Sequence, residues 1–167
     1  MRELYLLVVG IHLLVAAAWV GGSVFLALSV IPALRTPQFR PFLPDLLDLI
    51  GRRARVLGWG ALITLVITGQ VILLLRGVTP STWFDPAFWR TGFAHTLGTK
   101  AILVGLVLGL TALHDFGVGV RAVALARKEP GSPEALRLRR LSVWLARVNL
   151  LLSVAIVGLS VILARGG

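Results

Sequence analysis

Apolar residues dominate the chain in four long runs, and charged residues fall almost entirely between them. Leu4 to Leu34 holds no Asp, Glu, Lys or Arg over 31 residues, where about 20 suffice to cross the hydrocarbon core of a bilayer. Val56 to Leu75 is a second uncharged run. Thr91 to His114 is a third, broken only by Lys100, and Val148 to Ala164 is a fourth that extends toward Leu141 if Arg147 snorkels. The pattern predicts an all-α, four-helix integral membrane bundle in a single domain, with spans at about 4–31, 56–76, 93–116 and 143–164. The first apolar run is too long for the core of a cleaved signal peptide, so that span is expected to be retained.

Local signals set the expected helix ends. Ser132-Pro133-Glu134 orders a capping serine, a first-turn proline and an early acid, so a helix is expected from there to about Ala164. Pro130-Gly131 closes the helix before it, and Pro44-Asp45 opens the second helix in the same way. Pro32, Pro37 and Pro41 predict irregular chain ahead of that opening. Residues 77–92 form an outer loop rich in aromatics, with Trp83, Phe84, Phe88 and Trp89, and Phe93 just beyond. Asp85-Pro86 within it resembles the start of a one- or two-turn helix. The loop reads either as an interfacial aromatic belt or as a lid over a site in the outer half of the bundle. Gly105 with Gly109, Gly21-Gly22 and Gly158 predict close helix packing.

Composition narrows the classes. The chain is 57% hydrophobic and only 14% charged, against about 25% charged in soluble domains. With no cysteine, disulfides, zinc–thiolate sites, iron–sulfur clusters and cysteine nucleophiles are excluded. Met1 is the only methionine. The net charge is +10, and twelve of the seventeen basic residues fall in two segments. Arg35, Arg40, Arg52, Arg53 and Arg55 lie between the first two spans. Arg121, Arg127, Lys128, Arg137, Arg139, Arg140 and Arg147 surround the third turn. The positive-inside rule places both segments in the cytoplasm and both chain termini outside. The expected home is the inner (plasma) membrane of a prokaryotic-type cell, crossed several times. Topology and anionic lipid account for the basic excess, so no nucleic-acid partner is expected.

Ionisable groups inside a span are costly and mark function by default. Here they are His12 in the first span and His95, Lys100 and His114 in the third, with Asp115 beside the last. His12, Ala16, Trp19 and Ser23 share one helical face. Lys100, Val104, Val107, Thr111 and His114 share another, and Asn149, Ser153, Ile156 and Ser160 a third. At 1.5 Å per residue, His12 lies about 12 Å, Lys100 about 10 Å and Gln70 about 9 Å below the outer surface, with His95 about 3 Å deep. His12, Gln70 and Lys100 therefore share a level. His114, Asp115 and Asn149 share the inner end, where the plainest reading is an interfacial ion pair of Asp115 with Arg121 or Arg147.

The outer group suits a cofactor. Imidazole binds iron, copper or zinc, and heme b needs an apolar slot between helices with one or two axial ligands, often histidine. Copper(I) carriers lean on sulfur ligands, which are missing apart from Met1. The leading expectation is heme b, held by His12 as axial ligand, with His95 or Lys100 as second ligand or propionate partner and Trp19 and Gln70 completing the site. Copper bound by His12 and His95 is the alternative. A non-catalytic membrane assembly subunit with merely packed histidines is the third. No catalytic residue is assigned. A heme-dependent membrane oxidoreductase would act on a redox partner or a porphyrin-type substrate, and a homo-oligomer is compatible with the chain.

The stretches His12 to Leu34, Ala54 to Gly69 and Leu97 to Phe116 resemble helices of the copper-resistance D (CopD-like) membrane proteins, most specifically in His12, Trp19, Gly21-Gly22 and the later Lys100. The layout is also similar to the HemJ type of protoporphyrinogen oxidase, a four-helix membrane family with a first-helix histidine before a tryptophan and a third-helix lysine. That resemblance ties His12 and Lys100 to heme b; the first implies copper transport. Here Val20-Gly21-Gly22 follows Trp19 where the HemJ type has Phe-Ala-Gly.

Topology is directly testable. Reporters fused at Arg127 and after Gly167 should report opposite sides of the membrane; the same side for both would overturn the four-span count.

Overall fold

The computed structural model describes residues 2–165; Met1, Gly166 and Gly167, and with them the expected placement of the chain ends, lie outside them. Four helices long and apolar enough to cross a membrane occur among the described residues: α1 (Arg2–Leu34), α2 (Leu43–Leu75), α3 (Gly92–Lys128) and α4 (Pro133–Ala164). No strand occurs among them. The fold is an all-α four-helix bundle, of a kind suited to a multi-pass membrane protein.

The helices overrun the uncharged runs because capping and proline signals, rather than hydropathy, set their ends. Ser132 caps α4, its Oγ accepting from the Ala135 N–H at 3.2 Å, and Pro133 follows at the first helical position. Thr91 caps α3 through the Ala94 N–H at 3.2 Å. At the end of α2, Gly77 takes φ +81°, and the Val78 N–H closes back on the Leu73 carbonyl at 2.9 Å, a turn that glycine enters without strain.

Pro32 does not break α1. The chain widens into a π-helical stretch over Leu26–Val30, and the Ile31 N–H bonds the Leu26 carbonyl, five residues back. One extra residue in the turn absorbs the donor and the space that proline removes, so α1 continues to Leu34. A second π-helical stretch, Leu113–Val118, interrupts α3. Here the Gly119 N–H bonds the His114 carbonyl, and a Cβ on Gly119 would lie 2.7 Å from that oxygen. Only glycine leaves this turn undisturbed.

Helices α1 and α2 pack along each other, as do α3 and α4; α1 also touches α4, and the inner stretch of α3, Gly119–Lys128, reaches α2. The outer stretch of α3, Gly92–Ala112, makes its extended packing on α4. The core is narrow: Leu62, Leu97, Val107, Leu145 and Leu163 are buried, whereas Leu14, Leu28, Val56, Leu57 and Leu151 are 70–74% exposed. Such a belt of exposed large apolar side chains suits hydrocarbon, not water.

Close helix approach occurs at other glycines than the sequence suggests. A Cβ on Gly21, Gly22, Gly105, Gly109 or Gly158 meets nothing within 4 Å. At Gly58 it would stand 2.7 Å from the Trp19 ring and at Gly98 2.9 Å from the Trp89 ring. Large aromatics, rather than backbones, fill the space these glycines leave. Gly58→Ala should therefore displace Trp19 and destabilise the bundle by about 1–3 kcal/mol, while Gly60→Ala, which faces open space, should be neutral or stabilising by about 0.5–1 kcal/mol. Thermal unfolding in detergent compares them; equal midpoints would contradict the Trp19 packing.

Candidate functional site

His12 sits on the α1 face that meets α2. Its Nδ1 lies 2.7 Å from Thr68 Oγ1, and its Cε1 would be 3.5 Å from a Cβ on Gly69. The Thr68 hydroxyl has a single proton, and that proton goes to the Thr64 carbonyl of its own helix at 2.7 Å. The His12 Nδ1–H is therefore the donor and Thr68 Oγ1 the acceptor. The proton is fixed on Nδ1, and Nε2 keeps its lone pair. Such a partner on the far nitrogen is what metal-binding histidines use to fix ring orientation and tautomer.

Trp19, two turns further along α1, lies against Gly58 of α2 and anchors the same face. Lys100 is half-buried on α3. No carboxylate pairs with Lys100 among the described residues. His95 is exposed, as is Gln70. The polar partner of His12 is Thr68, not Gln70. Depth points to it: Thr68 lies eight residues from Arg76, about 12 Å below the outer end, the level of His12 itself.

Above this level the outer loop folds onto α3. It forms two short 3₁₀ turns, Pro80–Phe84 and Phe88–Arg90, rather than one helix, because the Asp85 carboxylate accepts the Ala87 N–H at 2.8 Å and turns the chain between them. The Trp89 indole donates to the Trp83 carbonyl at 2.9 Å. Their rings meet edge-on at 5.7 Å, and Phe88 stacks on both Trp89 and Phe93. Trp89 reaches Gly98, two residues before Lys100.

At the inner end a second polar group forms on the π-helical turn of α3. The Asp115 carboxylate accepts from the Trp59 indole at 3.1 Å and from His114 Nδ1–H at 3.0 Å. The Ser142 hydroxyl then donates to His114 Nε2 at 3.0 Å. Asp115 therefore joins α2 and α3 through hydrogen bonds and makes no ion pair with Arg121 or Arg147. His114 continues the face of Val107 and Thr111 that spacing predicts, and Asp115 beside it, at the start of the π turn, meets α2. Both nitrogens of His114 are engaged, so this histidine has no lone pair left to give. Asn149 donates to Thr111 at 3.1 Å and ties α4 to α3. Trp59, Thr68 and Ser142 were not among the sequence candidates; their signal is a hydrogen-bonding side chain inside a span, a class from which the indoles and hydroxyls are easily passed over.

Among the described residues no group of three or more His, Asp or Glu side chains is placed to close a shell around a metal ion. A group bound in the outer half would use His12 Nε2, with Lys100 as its charged neighbour.

No family model matches the chain. A protein of Aquifex aeolicus (strain VF5), described only as an uncharacterized protein, is 30% identical over 169 residues, covering 99% of this chain and 97% of that one. The chain belongs to that protein's family. The match runs over nearly the whole length of both chains. No solved structure matches.

Proposed function

We propose that this chain binds heme b in the outer half of its bundle and serves a redox or electron-transfer role in the inner membrane, with both termini outside. The observation that carries the reading is the 2.7 Å bond from His12 Nδ1 to Thr68. It leaves one imidazole lone pair, on Nε2, that would hold the heme iron.

Charge favours heme over copper. Lys100, without a carboxylate partner among the described residues, repels an added metal cation and attracts an anion. Heme carries two propionates along with its iron, so a neutral imidazole such as His12 and a cation such as Lys100 would each meet one of its two chemical demands. The copper alternative calls on His95, which is exposed, and has no sulfur ligand in the spans. When bound, heme supplies a one-electron couple. The chain's own residues do the rest: Thr68 orients the ligand ring, Trp19 holds α1 to α2 behind it, and Lys100 neutralises a carboxylate in a medium that offers no water. The outer loop, resting on α3 through Trp89, is positioned as a lid. The resemblance to the CopD-like and HemJ-type proteins supports the same pair, His12 and Lys100; the redox partner or porphyrin-type substrate depends on which of those chemistries the chain shares.

The absorption spectrum of the purified protein from heme-replete cells should show a Soret band. His12→Ala should abolish it and leave an inserted helical protein. Thr68→Val should weaken heme retention about 10–100-fold, the usual effect of removing such a ligand-orienting bond, while Thr68→Ser should restore it. His114→Ala should keep the band. A colourless wild type carrying copper would establish the alternative, and an unchanged spectrum in His12→Ala would sink the ligand assignment.

A further inference from the structure

The arginine-rich end of the bundle holds a groove unrelated to the outer site. Arg35, which terminates α1, faces Arg139, Arg140 and Arg147 of α4 across a cavity of about 360 Å³, within the size range of small-molecule sites. Leu136, Val143 and Trp144 form its apolar part. None of the four arginines makes an ion pair among the described residues, and no carboxylate lines the groove.

Three other arginines at this end have partners. Arg127 bonds Asp45 at 2.9 Å and Asp48 at 3.2 Å, and Arg52 also reaches Asp48. Arg55 lies over the Phe116 ring at 5.5 Å. Four exposed guanidinium groups line one groove without a counter-ion, a concentration of positive charge that favours an anion between them. Guanidinium forks match phosphate oxygens in pairs.

Position selects the source of that phosphate. Arg147 immediately precedes the uncharged run Val148 to Ala164, and Arg139 lies about 12 Å further along α4 toward water. The groove thus spans the depth of a headgroup layer. Trp144, 59% exposed, stands at the level where tryptophans border a membrane, and the apolar side chains suit the glycerol and first acyl carbons. We propose that this groove is a binding site for the phosphate headgroup of an anionic phospholipid, fixing the α1 end against α4.

Native mass spectrometry of the full chain in detergent, titrated with phosphatidylglycerol, phosphatidylcholine or inorganic phosphate, tests it. Phosphatidylglycerol should bind saturably and outcompete phosphatidylcholine. Arg139→Gln with Arg147→Gln should weaken it about thirtyfold, at about one factor of five per lost basic residue. Arg121→Gln with Arg137→Gln removes the same charge from the same end but outside the groove, and should leave binding unchanged. All four side chains are exposed, so circular dichroism should show both double variants fully helical. Equal weakening by both pairs would reduce the effect to diffuse attraction and overturn the site. Inorganic phosphate displacing the lipid at equal concentration would mark a free-anion site and overturn the lipid assignment.

Discussion

Hydrocarbon offers no hydrogen-bond partner, and this one constraint sorts most of the polar side chains in the bundle. Most hydroxyls turn back on their own helix. Ser23 donates to the Trp19 carbonyl, Thr64 to Gly60, Thr96 to Gly92, Thr99 to His95, Ser153 to Asn149 and Ser160 to Ile156. Each such bond satisfies the hydroxyl four residues back and asks nothing of a neighbouring helix. The groups that cannot do this must find partners across helices. The His12 imidazole, the Trp59 indole and the Asn149 carboxamide do so, and they join α1 to α2, α2 to α3 and α3 to α4.

Thr68 connects the two classes. Its proton goes back to Thr64, and its lone pair goes across to His12. A single hydroxyl thus fixes a histidine tautomer in a place where water cannot. His114 at the other end has the same chemistry with a different outcome: Asp115 takes one ring nitrogen and Ser142 the other. One histidine is closed by its surroundings and acts as a joint, while the other retains an unshared electron pair. The difference between the two histidines lies in the second ring nitrogen, not in depth or burial.

The fold was legible because its signals are long and redundant. Uncharged runs of spanning length, the Ser132-Pro133 start and the Pro130-Gly131 stop each point to the same four helices. The shared face of Asn149 and Ser153 and that of Val107 and Thr111 meet as periodicity suggests, with Asn149 bonded to Thr111. Where a single residue breaks the period, legibility fails. The π turns at Leu26–Val30 and Leu113–Val118 each add one residue to a turn and rotate the remainder of the helix by about 100°, which no 3.6-residue wheel carries. Asp115, within the second of these turns, meets Trp59 in place of the expected arginines. The glycines misled for a related reason: spacing identifies a small-residue stripe, but only the aromatic lying opposite, Trp19 or Trp89, decides which glycine is needed. Of the outer group, His12, Trp19 and Lys100 were readable from charge and spacing, while Thr68 was hidden by the abundance of threonine in the spans.

The central claim is that the bundle itself holds His12 with its proton on Nδ1 and a free Nε2, ready for a heme iron. Solid-state nitrogen magnetic resonance of ring-labelled histidine in bilayers, with His95→Gln and His114→Gln to isolate His12, measures this directly. The account predicts an Nδ1–H, bare-Nε2 ring in the heme-free protein, with the Nε2 signal lost on adding hemin. A proton on Nε2, or a ring unaffected by hemin, would contradict it.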